Sequence, residues 1–382
     1  AGRPVDECAG PQVVQWRTTY RSSPSPGRRP GASAARVMAP RVDVCPMAPD
    51  TNRRWLLASR PTGEPTREDF ELEAAAVPEP GPGEVLVRTR YMSVDPYMRG
   101  RMRDADSYAD PWAVGEPMRA RCVGEVVESN HRDLTAGETV TGNLYWSEYA
   151  VVDGDDLEPV DTGDLPVSTA LGVLGMPGRT AYVGTVDVGR VEPGDTVVVS
   201  AAAGAVGSVA GQIARVAGCR VVGITGAEEK ADWLTGELGF DAAIDYRAAD
   251  DLAGAVGEAC PRGVDLYFEN VGGEVSDAVT GHLADYSRVA VCGKIALYNR
   301  EDGEVTRGPR RLHQRTRTRV EGFIVSDHAH RFEHIGDRLR RWVTDGEVRY
   351  HETVTEGIEE TPDAFLGLFE GTNVGKQLVA VS

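Results

Sequence analysis

Residues 196–226 read TVVVSAAAGAVGSVAGQIARVAGCRVVGITG, and their pattern decides the fold. The β-branched run at its start predicts a buried parallel strand, and the apolar residues that follow recur at helical spacing before a second strand begins. Between strand and helix, Ala202, Gly204 and Gly207 occupy the three positions of the GxGxxG fingerprint. Because this turn carries no bulky side chain, a pyrophosphate can approach the free N–H groups of the helix. The stretch therefore predicts a dinucleotide site.

Two other interpretations of this stretch stay open from the residues alone. Small residues in the turn can serve plain packing of helix against strand, and Ala202 replaces the first fingerprint glycine. No charge occurs between Thr196 and Arg215, which also allows a membrane span, although the many Gly, Ala and Ser residues disfavour one. The neighbouring strand and helix patterns favour the dinucleotide site.

The charge balance narrows the possible partners. The 382 residues include 41 Lys and Arg against 59 Asp and Glu, which gives a formal net charge of −18 at pH 7. Such a surface repels nucleic acid and anionic lipid, so neither nucleic acid nor membrane is expected as a partner. Only three lysines occur, at positions 230, 294 and 376. With the acid excess this favours a halophilic protein of a salt-rich cytoplasm, although a GC-rich genome would also replace lysine by arginine.

The cysteines and histidines form no recognisable metal or disulfide pattern. Six cysteines occur without CxxC pairs or regular spacing, at positions 8, 45, 122, 219, 260 and 292. This argues against a disulfide framework and a structural zinc site, and favours reduced thiols in a cytoplasmic protein. No apolar segment behind a charged start opens the chain, so export is not expected.

The length and the changes of pattern along the chain predict two lobes. Residues 1–46 are rich in Arg, Pro and Ser without a hydrophobic period, which is typical of a disordered leader or of a misplaced translation start. Short strands between Gly, Pro and Asp turns predict an irregular β-rich lobe over 47–171. Alternating strands and helices predict an α/β, doubly wound parallel sheet over 172–322. Residues 323–382, which include an amphipathic helix, are expected to return to the β lobe.

The end of the second strand distinguishes the two nicotinamide cofactors. An NAD-binding chain places Asp or Glu there to bond the adenine ribose, but this strand runs into Thr225 and Gly226. Lys230 follows one turn into the next helix, where its ammonium can reach a 2′-phosphate. Glu228 and Glu229 suit the first turn of that helix through the helix dipole. Unless Lys230 is an ordinary surface lysine, the sequence predicts NADP(H) rather than NAD(H).

Seven motifs follow one another in the order of a known family: MPGRTAYVG, VVVSAAAGAVGSVAGQIA, GAEEK, LGFDAAIDY, VDLYFENVGG, CGKIALYN and GTNVGKQLV. Together with SVDPYMRGRM at Ser93–Met102, they resemble the zinc-independent medium-chain reductases, in the branch of prostaglandin reductase, leukotriene B4 12-hydroxydehydrogenase and bacterial curcumin reductase. The resemblance covers about residues 53–382. It implies a Rossmann sheet, a GroES-like β lobe and a homodimer.

The resemblance also implies a set of NADPH contacts spread along the chain. Lys230 and Tyr246 match the family's contacts to the 2′-phosphate, and Asn270 and Asn373 match two further cofactor contacts. Taken alone, Tyr246, Asn270 and Asn373 would each suit a plain structural role as well. The full set that the resemblance implies is Gly204, Ala205, Val206, Gly207, Lys230, Tyr246, Asn270, Cys292, Gly293, Lys294, Ile295, Ala296, Leu297, Tyr298 and Asn373.

The activity that the resemblance implies is NADPH-dependent reduction of the carbon–carbon double bond of α,β-unsaturated ketones and aldehydes, without zinc. Hydride delivery to the β-carbon leaves charge on the carbonyl oxygen, which a hydrogen-bond donor must stabilise. Tyr298 is the first candidate donor and Tyr108 the second, although a core position would suit either tyrosine. Because a phenol is a weak acid at pH 7, Tyr298 either donates the proton or only orders the cofactor.

The resemblance places an apolar substrate pocket at Leu144, Tyr145, Phe323, Ile324 and Val325, which would suit a medium or long enone. Six arginines precede the last three of these residues, at positions 307, 310, 311, 315, 317 and 319. They either hold a substrate carboxylate or, as such runs more often do, form a solvated patch. Two other functions stay open: a quinone reductase on the same scaffold, and a non-catalytic dinucleotide-binding protein.

Overall fold

The computed structural model describes residues 51–105, 109–300 and 316–381. Its strands are β1 (Thr51–Leu57), β2 (Phe70–Ala76), β3 (Glu84–Ser93), β4 (Arg119–Ser129), β5 (Thr139–Tyr145), β6 (Tyr149–Asp153), β7 (Glu158–Pro159), β8 (Thr196–Ser200), β9 (Arg220–Thr225), β10 (Ala242–Asp245), β11 (Val264–Glu269), β12 (Leu283–Val291), β13 (Arg319–Gly322), β14 (Glu352–Glu356) and β15 (Lys376–Ala380). Its α-helices are α1 (Met98–Arg101), α2 (Met176–Tyr182), α3 (Gly207–Val216), α4 (Glu228–Gly236), α5 (Leu252–Ala259), α6 (Gly273–Thr280), α7 (Phe332–Thr344) and α8 (Thr361–Glu370).

Six parallel strands form one sheet, in the order β10-β9-β8-β11-β12-β13. All five residues of β8 are buried, as the β-branched run predicts for a central parallel strand. The chain moves outward from β8 through β9 to β10, and then returns to the other side of β8 to form β11. The predicted doubly wound α/β sheet is confirmed. In such a sheet, ligands bind beyond the carboxyl ends of the strands where the order reverses, here between β8 and β11.

The second sheet forms the β-rich lobe, in the order β14-β15-β3-β4-β5-β7, with β6 paired to β3. It is antiparallel except for the pair β14-β15, and β1 and β2 form a separate antiparallel pair. Its core includes three aromatic side chains: Phe70 stacks on Trp146 at a centroid distance of 5.9 Å, and Phe365 meets both rings edge-on. The predicted irregular β lobe is confirmed.

The C-terminal segment divides between the two lobes. Strands β14 and β15 join the antiparallel sheet, and Phe365 of α8 packs into its core, as expected for residues 323–382. Helix α7 differs from that expectation, because its apolar residues Ile335 and Leu339 belong to the core of the parallel sheet. The ring of Trp342 also stacks on Tyr182 at the end of α2, with centroids 6.0 Å apart. The apolar stripe of α7 thus covers α2 rather than the β lobe.

Residues 196–226 fold as β8, α3 and β9. Over the ranges that the structure describes, each helix is too short or too polar to cross a membrane. The interpretation of 196–226 as a membrane span is therefore wrong, since the segment breaks into a five-residue strand, a ten-residue helix and a second strand.

Candidate active site

A cleft of about 750 Å³ opens at the carboxyl ends of β8, β9, β11 and β12 and is closed on its far side by the β lobe. Most of the predicted contacts meet here: Gly204, Ala205, Val206, Gly207, Lys230, Tyr246, Asn270, Cys292, Gly293, Ile295, Ala296, Tyr298, Phe323, Ile324, Val325 and Asn373. Lys294 and Leu297 are not among the lining residues. The side chain of Leu297 is 5% exposed and lies close to Gly272.

The backbone geometry of the turn after β8 requires a glycine at one position. Ala201 has a left-handed conformation with φ +48°, and a Cβ atom on Gly207 would lie 2.4 Å from the Ala201 carbonyl oxygen. Only glycine fits at position 207. Ala202 keeps a negative φ and is fully buried, and its N–H donates to the carbonyl of Ile224 at 3.0 Å. The backbone conformation at 202 therefore does not require the glycine that the fingerprint usually has there.

Two cations meet at the ends of β9 and β10, and we call Lys230, Tyr246 and Arg247 the phosphate corner. Lys230 Nζ donates to the carbonyl oxygens of Gly371 at 2.5 Å and Asn373 at 2.7 Å. The Arg247 guanidinium lies 5.7 Å from the Tyr246 ring centroid, and its Nε donates to the Tyr246 hydroxyl at 3.2 Å. Neither cation forms an ion pair with a carboxylate of the described residues. The corner thus holds two positive charges without a carboxylate in ion-pair contact among the described residues, and the more distant Glu229 opposes the charge of Lys230 only in part.

This donor set fits a 2′-phosphate. Burial lowers the pKa of Lys230, and the charge of Arg247 lowers it further, so a bound anion would stabilise both protonated side chains. Lys230 and Tyr246 come together as the sequence analysis expected. Arg247 was missed, although a second cation directly after the expected tyrosine is a readable signal.

Buried polar groups fix the end of β11. The Glu269 carboxylate is 2% exposed and accepts hydrogen bonds from the hydroxyls of Tyr267 (2.8 Å) and Ser200 (3.2 Å) and from the two N–H groups at 271 and 272 (2.8 and 3.0 Å). Asn270 in turn donates to Ser200, from its N–H to the hydroxyl at 2.9 Å and from Nδ2 to the carbonyl at 2.7 Å. The network holds Asn270 at the cleft. The sequence did not predict the roles of Glu269 and Ser200. The available signal for Glu269 was a carboxylate at the end of the largely apolar strand VDLYFE.

Residues 292–298 cross the mouth of the cleft beside this network. The N–H groups of Cys292 and of the next residue donate to the Glu269 carbonyl at 2.9 and 3.1 Å. Further along, the Lys294 N–H donates to the phenol oxygen of Tyr298 at 3.4 Å. Burial raises the pKa of the Cys292 thiol to about 12, so it is protonated at neutral pH. The segment therefore presents a neutral thiol and a phenol to the cleft.

Two arginines near helix α1 hold this segment from the β lobe. Arg99 donates from Nε to Oδ1 of Asn299 at 3.1 Å and from Nη2 to the Gly63 carbonyl at 2.6 Å. Arg103 Nη2 donates to the carbonyl of Tyr298 at 2.6 Å. Arg99 is 1% exposed, and burial lowers its pKa to about 10. The motif SVDPYMRGRM indicated the family but did not predict the contacts of either arginine.

A buried ion pair lies on the β-lobe side of the cleft. Lys376, 3% exposed, donates from Nζ to Oδ1 of Asp95 at 3.1 Å and to the carbonyls of Val94 and Gln377 at 2.8 Å. All three ammonium donors therefore have acceptors. Burial lowers the pKa of Lys376, and the Asp95 carboxylate opposes that shift. The pair was missed, although a lysine opening the apolar strand KQLVA is unusual in a chain with three lysines.

The expected substrate residues separate in the structure. Phe323–Val325 line the cleft, but Leu144 and Tyr145 do not. Leu144 is fully buried in the β-lobe core, because alternate residues of β5 face that core. Tyr145 faces a separate cavity, where the Arg119 guanidinium lies 4.4 Å from its ring centroid. Tyr108 lies outside the described residues.

The arginine run is only partly described, since positions 307, 310, 311 and 315 lie outside the described ranges. Arg317 pairs with Asp285, and Arg319 pairs with Glu321 at 2.9 Å. Neither arginine lines the cleft. Arg317 and Arg319 therefore fit a solvated surface patch and do not fit a site for a substrate carboxylate.

Two family models match the chain. The model described as the N-terminal domain of oxidoreductase matches residues 53–160, and the model described as zinc-binding dehydrogenase matches residues 205–341. Within the parts of the chain that the structure describes, no three His, Cys, Asp or Glu side chains come together as a metal ion would need.

Relatives and solved structures resemble the chain over most of its length. An NADPH-dependent curcumin reductase from Escherichia coli is 46% identical over 87% of this chain and 97% of its own. A 2-alkenal reductase (NADP(+)-dependent) from Nicotiana tabacum is 41% identical over 87% of this chain and 98% of its own. The crystal structure of CurA from Vibrio vulnificus in complex with NADPH is 43% identical, has a TM-score of 0.80, and covers 86% of this chain and 99% of its own. With this similarity and the geometry of the cleft, the chain belongs to the medium-chain dehydrogenase/reductases, in the branch of the curcumin and prostaglandin reductases.

Proposed function

We propose that this chain is an NADPH-dependent reductase of the carbon–carbon double bond of α,β-unsaturated ketones and aldehydes. Two relatives that match 87% of this chain are named as an NADPH-dependent curcumin reductase and an NADP-dependent 2-alkenal reductase. A similar solved structure holds NADPH. The phosphate corner supplies the cations that the 2′-phosphate of this cofactor needs.

One observation carries the proposal: the phosphate corner, the glycine turn and Tyr298 open into a single cleft. The remaining wall is largely apolar, with Phe323–Val325 on one side and Leu368 and Phe369 of α8 on another. An apolar wall with few polar groups suits a substrate whose reactive end has one polar atom, the carbonyl oxygen.

The chain's part in the reaction is to hold the substrate and to stabilise charge. NADPH, when bound, supplies the hydride for the β-carbon of the substrate. Negative charge then develops on the carbonyl oxygen, and we assign Tyr298 as the hydrogen-bond donor to it. A proton from solvent, taken up at the α-carbon of this enolate, completes the saturated product. The phenol oxygen of Tyr298 accepts from the Lys294 N–H, which strengthens the phenol as a donor, and Arg103 fixes its backbone carbonyl. Tyr108 is the second proposed donor.

The test is a panel of 2-alkenals, enones and quinones with NADPH or NADH, followed by NADPH absorbance and by mass spectrometry of the products. We expect saturated aldehydes and ketones, each two hydrogens heavier than its substrate, and faster turnover with NADPH. Oxidation of NADPH by quinones alone would favour the quinone reductase. NADPH binding without turnover of any acceptor would favour the non-catalytic protein.

We also propose that the enzyme works in a salt-rich cytoplasm. The support is compositional: a net charge of −18 and only three lysines. Salt screens the repulsion among the acidic groups, so activity and the unfolding temperature should rise toward molar KCl. Full activity and unchanged stability in low salt would contradict the proposal of a salt-rich cytoplasm.

We further propose a homodimer. Strand β13 ends the parallel sheet as far as the structure describes it, and Glu321 and Gly322 in it are exposed. An unpaired strand edge of this kind is available to pair with a second copy. Size-exclusion chromatography with light scattering should give twice the chain mass of 41.1 kDa, and a monomer at micromolar concentration would contradict it.

A further inference from the structure

The C-terminal end of helix α8 rests on the two cations of the phosphate corner. Lys230 donates to the carbonyls of Gly371 and Asn373, and Arg247 Nη2 donates to the carbonyl of Glu370 at 3.0 Å. Helix α8 ends at Glu370, so these oxygens lie at the negative end of its dipole. Cations of the parallel-sheet domain therefore stabilise the end of a helix whose core contacts belong to the β lobe.

The same cations keep donors available for an anion. An ammonium has three N–H donors, of which Lys230 uses two, and a guanidinium has five, of which Arg247 uses one on Tyr246 and one on Glu370. The two cations repel each other, since the charge of Arg247 lowers the pKa of Lys230 in addition to burial. A phosphate can bind the remaining donors without displacing the carbonyls, and its charge reduces the repulsion.

Helix α8 also reaches the substrate side of the cleft. Leu368 and Phe369, in its last turn, line the cleft wall. The loop after the helix returns to the glycine turn, where the N–H of Gly375 donates to the carbonyl of Ala203 at 2.8 Å. The end of α8 thus contacts both phosphate-binding parts of the cofactor site and carries part of the apolar wall.

We propose that Lys230 and Arg247 couple the two halves of the cleft: the 2′-phosphate of NADPH tightens their contact with the end of α8 and so fixes the substrate wall. This inference rests on the proposed function for the identity of cofactor and substrate. It makes the 2′-phosphate a requirement for substrate binding and turnover as well as for cofactor affinity. Arg247 becomes a positioning residue that acts through α8.

The first test measures α8 without turnover. Amide hydrogen exchange of the full chain is followed by mass spectrometry with saturating 2′,5′-ADP, which has the 2′-phosphate, or with 5′-AMP, which lacks it. We expect peptides that cover 361–376 to exchange about tenfold more slowly with 2′,5′-ADP than with 5′-AMP, within the usual range of coupling between sites. Equal exchange with the two ligands, faster exchange with 2′,5′-ADP, or no binding of 2′,5′-ADP would overturn the proposal.

The second test uses Arg247→Met, with Arg262→Met as the control. Arg262 is an exposed arginine in the turn before β11, away from the cleft. Arg247→Met should abolish the difference between the two ligands at 361–376 and raise the KM of the enone about fivefold at saturating NADPH. An arginine that only bound cofactor would raise the KM of NADPH and leave the enone KM unchanged, which would overturn the proposal. Because the exchange test needs no turnover, its result is separate from a failure of the proposed enone activity.

Discussion

The two walls of the cleft are built in different ways. The cofactor wall comes from the ends of neighbouring parallel strands, where a turn of small residues exposes backbone N–H groups. A Cβ atom on Gly207 in this turn would lie 2.4 Å from the Ala201 carbonyl oxygen. The β-lobe wall depends on buried cations that bond distant parts of the chain. Arg99 and Asn299 are 200 residues apart, and Lys376 and Asp95 are 281 residues apart.

Because the two walls are built differently, substitutions in them should affect different properties of the protein. A turn of small residues binds its ligand through backbone groups, so a substitution there changes local geometry and cofactor binding. A buried cation is stable only while its partner stays in place, so a substitution there changes the stability of the lobe. Four substitutions test the distinction, in decreasing order of expected effect.

Lys376→Met should cost about 3–5 kcal/mol of unfolding free energy, because it leaves the Asp95 carboxylate buried without its partner. The measurement is urea unfolding followed by fluorescence. Lys294→Met is the matched control, since Lys294 does not line the cleft, and it should change stability by less than about 0.5 kcal/mol. Adding Asp95→Asn to Lys376→Met should restore part of the loss. Equal stability of the two lysine variants would remove the special role of the β-lobe ion pair.

Tyr298→Phe should lower kcat on enones about 10²-fold, because one donor to the developing oxyanion is lost. Steady-state kinetics at saturating NADPH measure the effect, and thermal unfolding should be unchanged. Tyr286→Phe, at a tyrosine that is 70% exposed, serves as the control. A rise in the KM of NADPH with kcat unchanged would instead assign Tyr298 to ordering the cofactor alone.

Gly207→Ala should destabilise the protein by about 1–3 kcal/mol and weaken NADPH binding, because the new Cβ meets the Ala201 carbonyl oxygen at 2.4 Å. Gly204→Ala is the natural comparison, since its Cβ would meet a single atom, at 3.2 Å. Calorimetry of unfolding and of NADPH binding gives both quantities. Similar losses in the two variants would show that the tight approach at 207 is not what the turn requires.

Glu352→Gln should have the smallest effect. It should change the free energy of unfolding by a few tenths of a kcal/mol, and the size of this change should depend on pH. The carboxyl of Glu352 accepts from Ser168 at 2.7 Å, and burial raises its pKa above the usual 4.5. The folded state therefore binds this proton more tightly than the unfolded state, and the stability that protonation contributes is lost as pH rises through the raised pKa. Glutamine does not titrate, so the variant should gain stability relative to the parent protein as pH rises above 4.5. Parallel curves of unfolding free energy against pH would contradict this.

The sequence predicted the secondary structure of the cofactor wall because the signals for it are local. The strand, turn and helix of 196–226 follow one another along the chain, and Lys230 lies one turn into the next helix. Each residue is read against neighbours a few positions away, so propensity and spacing suffice. Asn270 and Asn373 needed family resemblance, since nothing in their immediate surroundings distinguishes them from turn residues.

The β-lobe wall was not predictable in the same way. Whether Arg99 or Lys376 is buried depends on acceptors 200 or more residues away, and no local pattern reports that. Leu144 and Tyr145 were placed at the substrate by resemblance, whereas strand alternation turns one into the core and the other to a separate cavity. Helix α7 was assigned to the wrong lobe, because its apolar stripe does not reveal which partner it covers.

The protonated thiol of Cys292 has a chemical consequence for the proposed reduction of enals. Such substrates alkylate cysteines at the β-carbon, but the attacking species is the thiolate. Because burial raises its pKa to about 12, the Cys292 thiol is protonated at pH 7. Burial likewise raises the pKa of Cys219 and Cys260 to about 11. The Cys292 thiol lines the cleft, and its protonated state keeps it unreactive towards the proposed enal substrates.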